Sequence, residues 1–190
     1  MFLHAGENMK KIVTRILMVA LAVGIVGCGA SNPKEATITV NPATAIKVAT
    51  LIPFSKGIPI AANIINECKL DDQLSEFIRA YAVGEGVGVI RKNSVSNKSK
   101  GKALIVEITN AVSSGNAFIG HRKFTSIKGT LYTDGQKGAS FTAARMSGGG
   151  AFAGFKGSCS VLGRTVKVLG SDVSRWLLNP TDGAHLGDHV

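Results

Sequence analysis

The 190-residue sequence has few of the residues on which catalytic and cofactor chemistry depends. It contains three cysteines, four histidines and 12 acidic residues, and aromatic residues make up only 6% of the chain. No serine lies in a Gly-x-Ser-x-Gly motif, no Cys-x-x-Cys pair occurs, and no Walker-type Gly-Lys-Ser/Thr is present. The scarcity of aromatics also argues against a stacking platform for nucleic acid. The sequence therefore predicts no catalytic residues, no cofactor, no metal site and no nucleic-acid partner.

Acidic residues are few relative to basic ones. The chain has 22 Lys and Arg residues against 12 Asp and Glu, a formal net charge of +10. Such a surface favours anionic partners such as lipid headgroups, acidic glycans or acidic proteins. Seven basic residues are candidates for one shared patch: Arg91, Lys92, Lys98, Lys100, Lys102, Arg122 and Lys123. The first five belong to a polar segment at 91–102 that is typical of a mobile loop, and a merely solvated surface is the alternative interpretation.

The apolar run near the N-terminus is too short for a membrane-spanning helix. It comprises the eleven residues ILMVALAVGIV at 16–26, whereas a spanning helix needs about twenty. Basic residues precede it at 10, 11 and 15, which is typical of a secretory signal. The run ends in Ile25-Val26-Gly27-Cys28, which resembles the lipobox of bacterial lipoproteins.

The lipobox resemblance implies that Cys28 carries a diacylglyceryl group and becomes the acylated first residue after cleavage behind Gly27. Gly29, rather than Asp, follows the cysteine, which implies sorting to the outer membrane. On this interpretation 1–27 is the signal peptide and 28–45 is a tether that holds a periplasmic domain to the membrane. Residues 1–8 fit no part of a signal, which favours a translation start at Met9 over Met1. An ordinary secretory signal with an incidental cysteine, or a retained anchor, remains an alternative.

The pattern after residue 45 predicts a small α+β domain over 46–180. Strands are expected at 46–52, 87–90 and 103–111, and a hairpin at 123–133 and 137–146 around Asp134-Gly135. Apolar stripes predict two amphipathic helices: Leu70, Leu74, Phe77, Ile78 and Tyr81 in the first; Leu162, Val166, Leu169, Val173, Trp176 and Leu177 in the second. We expect a mostly antiparallel sheet of four to five strands, both helices on one face, and a flexible tail at 181–190.

The two remaining cysteines fall at the first turns of these helices. If the helices pack on the sheet in the same direction, Cys68 and Cys159 become neighbours. An exported chain meets an oxidising compartment, so the sequence predicts a disulfide between them. Two buried free thiols are the alternative.

Two segments around these cysteines carry a family resemblance. The stretches NECKLDDQLSEFI and GFKGSCSVLGRTVKVLGSDVSRWLLNP resemble the cysteine-bearing helices of small uncharacterised proteobacterial lipoproteins, over roughly 46–180. The arrangement is also similar to the small α+β domains of envelope lipoproteins such as the curli secretion lipoprotein. The resemblance implies a two-cysteine lipoprotein domain and supplies no catalytic residues.

Three other features have plain structural interpretations. The glycines in GEGVG at 84–88 follow a helix and precede a strand, the reverse of a phosphate-binding loop. The tail residues Asp182, His185, Asp188 and His189 have metal-ligand chemistry, but the glycines between them favour a solvated tail. His121 lies beside two basic residues and suits a basic rim.

The sequence therefore predicts a non-enzymatic lipoprotein anchored in the outer membrane. Its domain is expected to be an accessory or protein-interaction module, with other envelope proteins or an anionic glycolipid as partners. The alternative is a periplasmic protein that binds a small ligand or glycan in a cleft between the sheet and the helices.

Overall fold

One mixed β-sheet organises the chain in this computed structural model, which describes residues 39–116, 120–148 and 157–188. Its strands are β1 Ile46–Ala49, β2 Val89–Lys92, β3 Lys102–Asn116, β4 Gly120–Thr133, β5 Gln136–Gly148 and β6 Ala184–Gly187. The helices are α1 Ala62–Glu67, α2 Leu70–Gly84 and α3 Ser158–Trp176. The signal, Cys28 and the tether up to residue 38 lie outside the described residues, as does His189.

The strand order in the sheet is β2-β1-β3-β4-β5-β6. Strands β3, β4 and β5 form an antiparallel meander, whereas β1 is parallel to both β2 and β3, and β6 is parallel to β5. Parallel neighbours need a crossover connection, and helices supply it on both sides of the meander. The predicted α+β class is confirmed, although the sheet has six strands and is antiparallel only in its centre.

The central hairpin forms where the sequence predicted it. Strands β4 and β5 pair on either side of Asp134 and Gly135. Both turn residues have positive φ, at 50° and 85°, which is what the tight turn of a two-residue hairpin requires. The Asp-Gly pair is therefore the local cause of this connection.

The two long helices run in the same direction across one face of the sheet. Helix α2 connects the parallel pair β1 and β2, α3 connects the parallel pair β5 and β6, and the pairing through β3 and β4 makes β1 parallel to β5. Both helices therefore return antiparallel to the same strand direction. Their N-termini lie at the end of the sheet opposite the start of β1.

The core lies between the sheet and these two helices. The helix stripes are fully buried at Leu74 and Ile78 of α2 and at Leu162 and Leu169 of α3. The helices approach closely at Gly170, where an added Cβ would lie 2.5 Å from a side-chain atom of α2. Only glycine fits this contact without movement of α2.

The C-terminal tail differs from the prediction. The segment 181–190 was expected to be flexible, but Ala184–Gly187 pairs in parallel with residues 141–144 of β5. The Asp188 carboxylate then accepts hydrogen bonds from the Met146 N–H and from Arg145, both at 2.8 Å. The sequence of this four-residue strand, which contains histidine and glycine, has no strand pattern. The strand forms because β5 supplies its hydrogen-bonding partner.

In the part of the chain that the structure describes, no helix combines the length and apolarity that crossing a membrane requires.

Candidate functional site

The structure contains the predicted disulfide between Cys68 and Cys159. Cys68 directly follows α1, rather than lying in the first turn of α2, and the left-handed residue Lys69 separates the two helices. Cys159 is the second residue of α3. Because α2 and α3 run in the same direction, the bond joins the two helix N-termini.

The seven predicted patch residues do not form one surface, and the prediction is wrong for two of them. Lys123 is only 4% exposed, and its ammonium group donates to the hydroxyls of Ser113 and Ser158. Arg91 lies on β2 and points at α2 instead of solvent. The side chain of Arg122 lies outside the described residues. The remaining residues, Lys92, Lys98, Lys100 and Lys102, are exposed.

Arg91 fastens α2 to the sheet. Its guanidinium donates to Glu76 and to Ser75, each at 3.0 Å, and to the main-chain oxygen of Thr50 at 2.8 Å. It also contacts Asp72. Hydrogen bonds from Arg79 and then from Arg91 lower the pKa of Glu76 against the opposing effect of burial. The segment that looked like a basic loop therefore begins with a structural arginine.

A second arginine, Arg145, fastens α3 to the sheet. Arg145 of β5 makes a bidentate contact with Asp172, with both N–O distances 2.8 Å. The Asp172 side chain is 4% exposed, and it also accepts from Arg175 at 2.7 Å. The hydrogen bond to Asp172 raises the pKa of Arg145, and Asp188 adds to this effect. The pair holds α3 on β5.

The other face of β3, β4 and β5 is not covered by the helices and forms an open face. Hydroxyl side chains such as Thr130 and Thr142 lie on it beside apolar ones such as Phe124. Lys128 lies 3.1 Å from Glu107, which also accepts from Ser55 at 2.8 Å. The Ser55 hydroxyl and then Lys128 lower the pKa of Glu107. The open face therefore combines hydroxyl and apolar side chains with a paired lysine and glutamate.

Two grooves on the open face have volumes of about 520 and 570 Å³. They share Lys128, Thr142 and His185, and the last two are joined by a 2.8 Å hydrogen bond through His185 Nδ1. The predicted alternative placed a ligand cleft between the sheet and the helices, but buried core side chains occupy that space. The grooves lie on the opposite face.

The tail residues with metal-ligand chemistry serve the sheet instead. Asp182 accepts from Ser140 at 2.5 Å, and that hydroxyl, followed by Lys137, lowers the pKa of Asp182. Within 39–116, 120–148 and 157–188, no group of three potential metal ligands comes together. Sequence reasoning did not foresee these contacts, because they depend on β6 lying beside β5.

Among the described residues, one edge of β3 has no partner over much of its length. On the side away from β4, β3 pairs with β1 at Ala103 and Leu104, and with Phe54 at Ile108. From Thr109 to Asn116, no described residue other than those of β4 pairs with it. We call this stretch the free edge. It has the sequence TNAVSSGN, with no charged residue and no proline.

Comparison with known proteins relates this chain to others through its fold. No protein-family model matches the sequence, and no match is found among curated proteins. A crystal structure of a Xanthomonas campestris protein, described with the family model DUF330, is similar with a TM-score of 0.51 and 14% identity. The match covers 74% of this chain and 89% of that one.

Two further solved structures match with lower scores. A minor lipoprotein from Acinetobacter baumannii has a TM-score of 0.41 and 15% identity, over 71% of this chain and 93% of that one. A PelC dodecamer from Paraburkholderia phytofirmans has a TM-score of 0.41 and 9% identity, over 69% and 86%. At 14% identity, the likeness to the DUF330 protein shows that the two chains share a fold.

Proposed function

We propose that this chain is a bacterial lipoprotein, held in the outer membrane by acyl chains on Cys28, whose domain is a non-catalytic module for binding other envelope proteins. The lipobox pattern at 25–28 supports the anchor. The Cys68–Cys159 bond supports an oxidising compartment, since such bonds persist in exported proteins.

The free edge of β3 is the observation that carries the interaction role. An unpaired strand edge presents main-chain donors and acceptors to which an extended segment of another protein can add as a further strand. Natural proteins usually protect such edges with lysine, proline or bulges. The free edge has only the irregularity between Ile108 and Asn110. An envelope protein that contributes an extended segment is therefore the proposed partner.

In-cell photocrosslinking tests the interaction role. A photoreactive residue at Asn110 or Val112 is expected to yield a discrete crosslinked protein, whereas one at exposed Arg164 on α3 is not. Lysine at both edge positions places charges on the strand and should abolish recovery of that protein while leaving the thermal unfolding midpoint nearly unchanged. Equal crosslinking from Arg164, or recovery that survives the charged edge, would remove the edge from the proposal.

The anchor has its own test. Labelled palmitate is expected in the purified chain, and mass spectrometry is expected to find an acylated N-terminus at Cys28. Cys28→Ser should remove both and leave residues 1–27 attached. An unacylated chain that starts elsewhere would contradict the anchor without bearing on the edge.

A second candidate function rests on the two grooves of the open face. Their volumes fall in the range of small-molecule sites, and their paired charges and hydroxyls suit a neutral polyhydroxylated ligand such as an oligosaccharide. Calorimetric titration with neutral oligosaccharides tests this function. We expect Thr142→Val to weaken binding and Thr133→Val, at the exposed end of β4, to leave it unchanged. An absence of heat with every sugar would end this candidate.

A further inference from the structure

The chain enters the described fold at one end of the sheet, which we call the base. There β1 begins at Ile46, in register with Val89 at the start of β2. The preceding residue, Ala45, is buried and donates its N–H to the Asn41 oxygen at 3.1 Å. On the proposed function, on which this inference rests, the tether from Cys28 must therefore reach the domain at its base.

Four lysines lie at the base: Lys47, Lys98, Lys100 and Lys102. Lys98 follows Asn97, whose main-chain oxygen lies 3.7 Å from the Cβ position of Gly135 in the β4–β5 turn. Lys47 is the second residue of β1, in register with Ala103 of β3, and its ammonium donates to the Lys100 oxygen. Lys102 is the first residue of β3 and pairs with the last residue of β4. We call these four residues the basal lysines.

The segment that carries the basal lysines is fixed to the sheet. Gly101 donates its N–H to the Asp134 carboxylate at 2.7 Å, and the Asp134 N–H returns a hydrogen bond to the Gly101 oxygen at 3.0 Å. The Asp134 carboxylate thus accepts a hydrogen bond from the main chain. Within the described residues, none of the basal lysines forms an ion pair, and Lys98, Lys100 and Lys102 are exposed.

We infer that the basal lysines bind the anionic phospholipid headgroups of the bilayer that holds the acylated Cys28. A lysine near an anionic bilayer is attracted to it, and the attraction decays within a Debye length of about 8–10 Å. A tether of residues 28–45 holds the base near that surface, which raises the effective concentration of headgroups around these lysines. The charges are therefore placed at the end of the domain where they act most strongly.

This contact orients the domain. Strand β3 rises from the base at about 3.3 Å per residue, so the free edge begins about 23 Å above Lys102 and ends about 46 Å above it. With the base on the bilayer, the free edge points away from the membrane. The headgroup contact and the proposed strand partner therefore occupy opposite ends of the domain.

Hydrogen exchange of the acylated full-length protein in lipid vesicles tests this inference. We compare vesicles of phosphatidylcholine with vesicles in which part of it is replaced by anionic phosphatidylglycerol. We expect amides at 97–101 to exchange about fivefold more slowly in the anionic vesicles, and high salt to remove the difference. The variant Lys98→Gln/Lys100→Gln/Lys102→Gln should lose this protection.

A charge-matched variant provides the control. Lys56→Gln/Arg164→Gln/Lys167→Gln removes three exposed positive charges outside the base, so it has the same net charge as the basal variant. We expect it to retain the protection at 97–101. Equal exchange in both vesicle types, or equal loss of protection in the two variants, would overturn the inference.

The outcomes also separate the inference from the proposed function. A chain whose mass shows no acyl groups on Cys28 overturns the proposed anchor and the orientation together. An acylated chain with no protection at 97–101, or with protection along the free edge instead, overturns the orientation alone.

Discussion

Loss of the Cys68–Cys159 disulfide is expected to lower the free energy of unfolding by about 4–5 kcal/mol. The bond joins residues 91 positions apart, and the chain-entropy model for a loop of this length gives about 4.6 kcal/mol at 25 °C. Residual compactness of the unfolded chain makes that value an upper bound. It is still a large share of the roughly 5–15 kcal/mol that stabilises a typical domain.

Urea denaturation of three forms measures this effect: the oxidised protein, the reduced protein and Cys68→Ala/Cys159→Ala. The reduced protein keeps both sulfur atoms, so its difference from the oxidised form isolates the crosslink. The alanine variant adds the cost of the lost side-chain volume at Cys68, which is 3% exposed. We expect a lower urea midpoint for both crosslink-free forms. A difference below about 1 kcal/mol between the oxidised and reduced forms, or free thiols in the protein isolated from cells without reductant, would refute the reasoning.

Three further predictions concern the packing of the helices and the C-terminal strand. Gly170→Ala is expected to lower the free energy of unfolding, measured in urea, by about 1–3 kcal/mol, because the added Cβ would lie 2.9 Å from a backbone carbonyl carbon of α2. Gly163→Ala is the control. Its Cβ would meet only the end of a flexible glutamine side chain, so a smaller loss is expected. Asp172→Asn removes the buried carboxylate of the bidentate contact, while Arg145 keeps its contact with Asp188, so a loss of about 1–3 kcal/mol is expected by the same assay. A loss below about 0.5 kcal/mol would contradict the role of Asp172 in holding α3 on β5. The Met146 N–H and then Arg145 lower the pKa of Asp188 in the folded chain. The ionised Asp188 therefore stabilises the fold above the unfolded-state pKa near 3.8, and this stabilisation is lost as the pH falls below that value. Asp188→Asn should therefore reduce the stability difference between pH 7 and pH 3, and an unchanged pH profile would contradict this assignment.

The parts of the fold that the sequence predicted are those with a long local pattern. The apolar stripe from Leu70 to Tyr81 and the longer stripe of α3 specify their helices, and the Asp-Gly pair specifies the hairpin between β4 and β5. The parallel edges of the sheet were not predicted. Strands were predicted at the positions of β1 and β2, but not their parallel pairing, and the four residues of β6 are too few for a period-two pattern to stand out. Their positions depend on the strands beside them.

The predicted basic patch shows the same limit at the level of side chains. The run from 91 to 102 looks uniformly basic, but its first residue lies on a strand and faces acidic residues of α2, while Lys98 and Lys100 face solvent. Composition cannot separate these two cases, because the difference arises from the direction in which a strand residue points. The free edge could not be predicted from composition either. It arises because β1 ends at Ala49 and the next described pairing with β3 is the single bridge at Phe54.

Strand β3 links the basal lysines to the free edge, and on the proposed function the anchored tether joins the domain beside the start of this strand. Because β3 begins beside the tether attachment and extends about 46 Å from it, a segment that adds to the free edge is held at a height fixed by β3 itself. If the domain lay on its side against the bilayer, the free edge would lie parallel to the membrane and could reach only proteins at the membrane surface. With the base on the bilayer, the free edge reaches proteins that lie away from the membrane surface. The identity of the protein crosslinked at Asn110, compared between the basal variant and its charge-matched control, therefore distinguishes the two orientations.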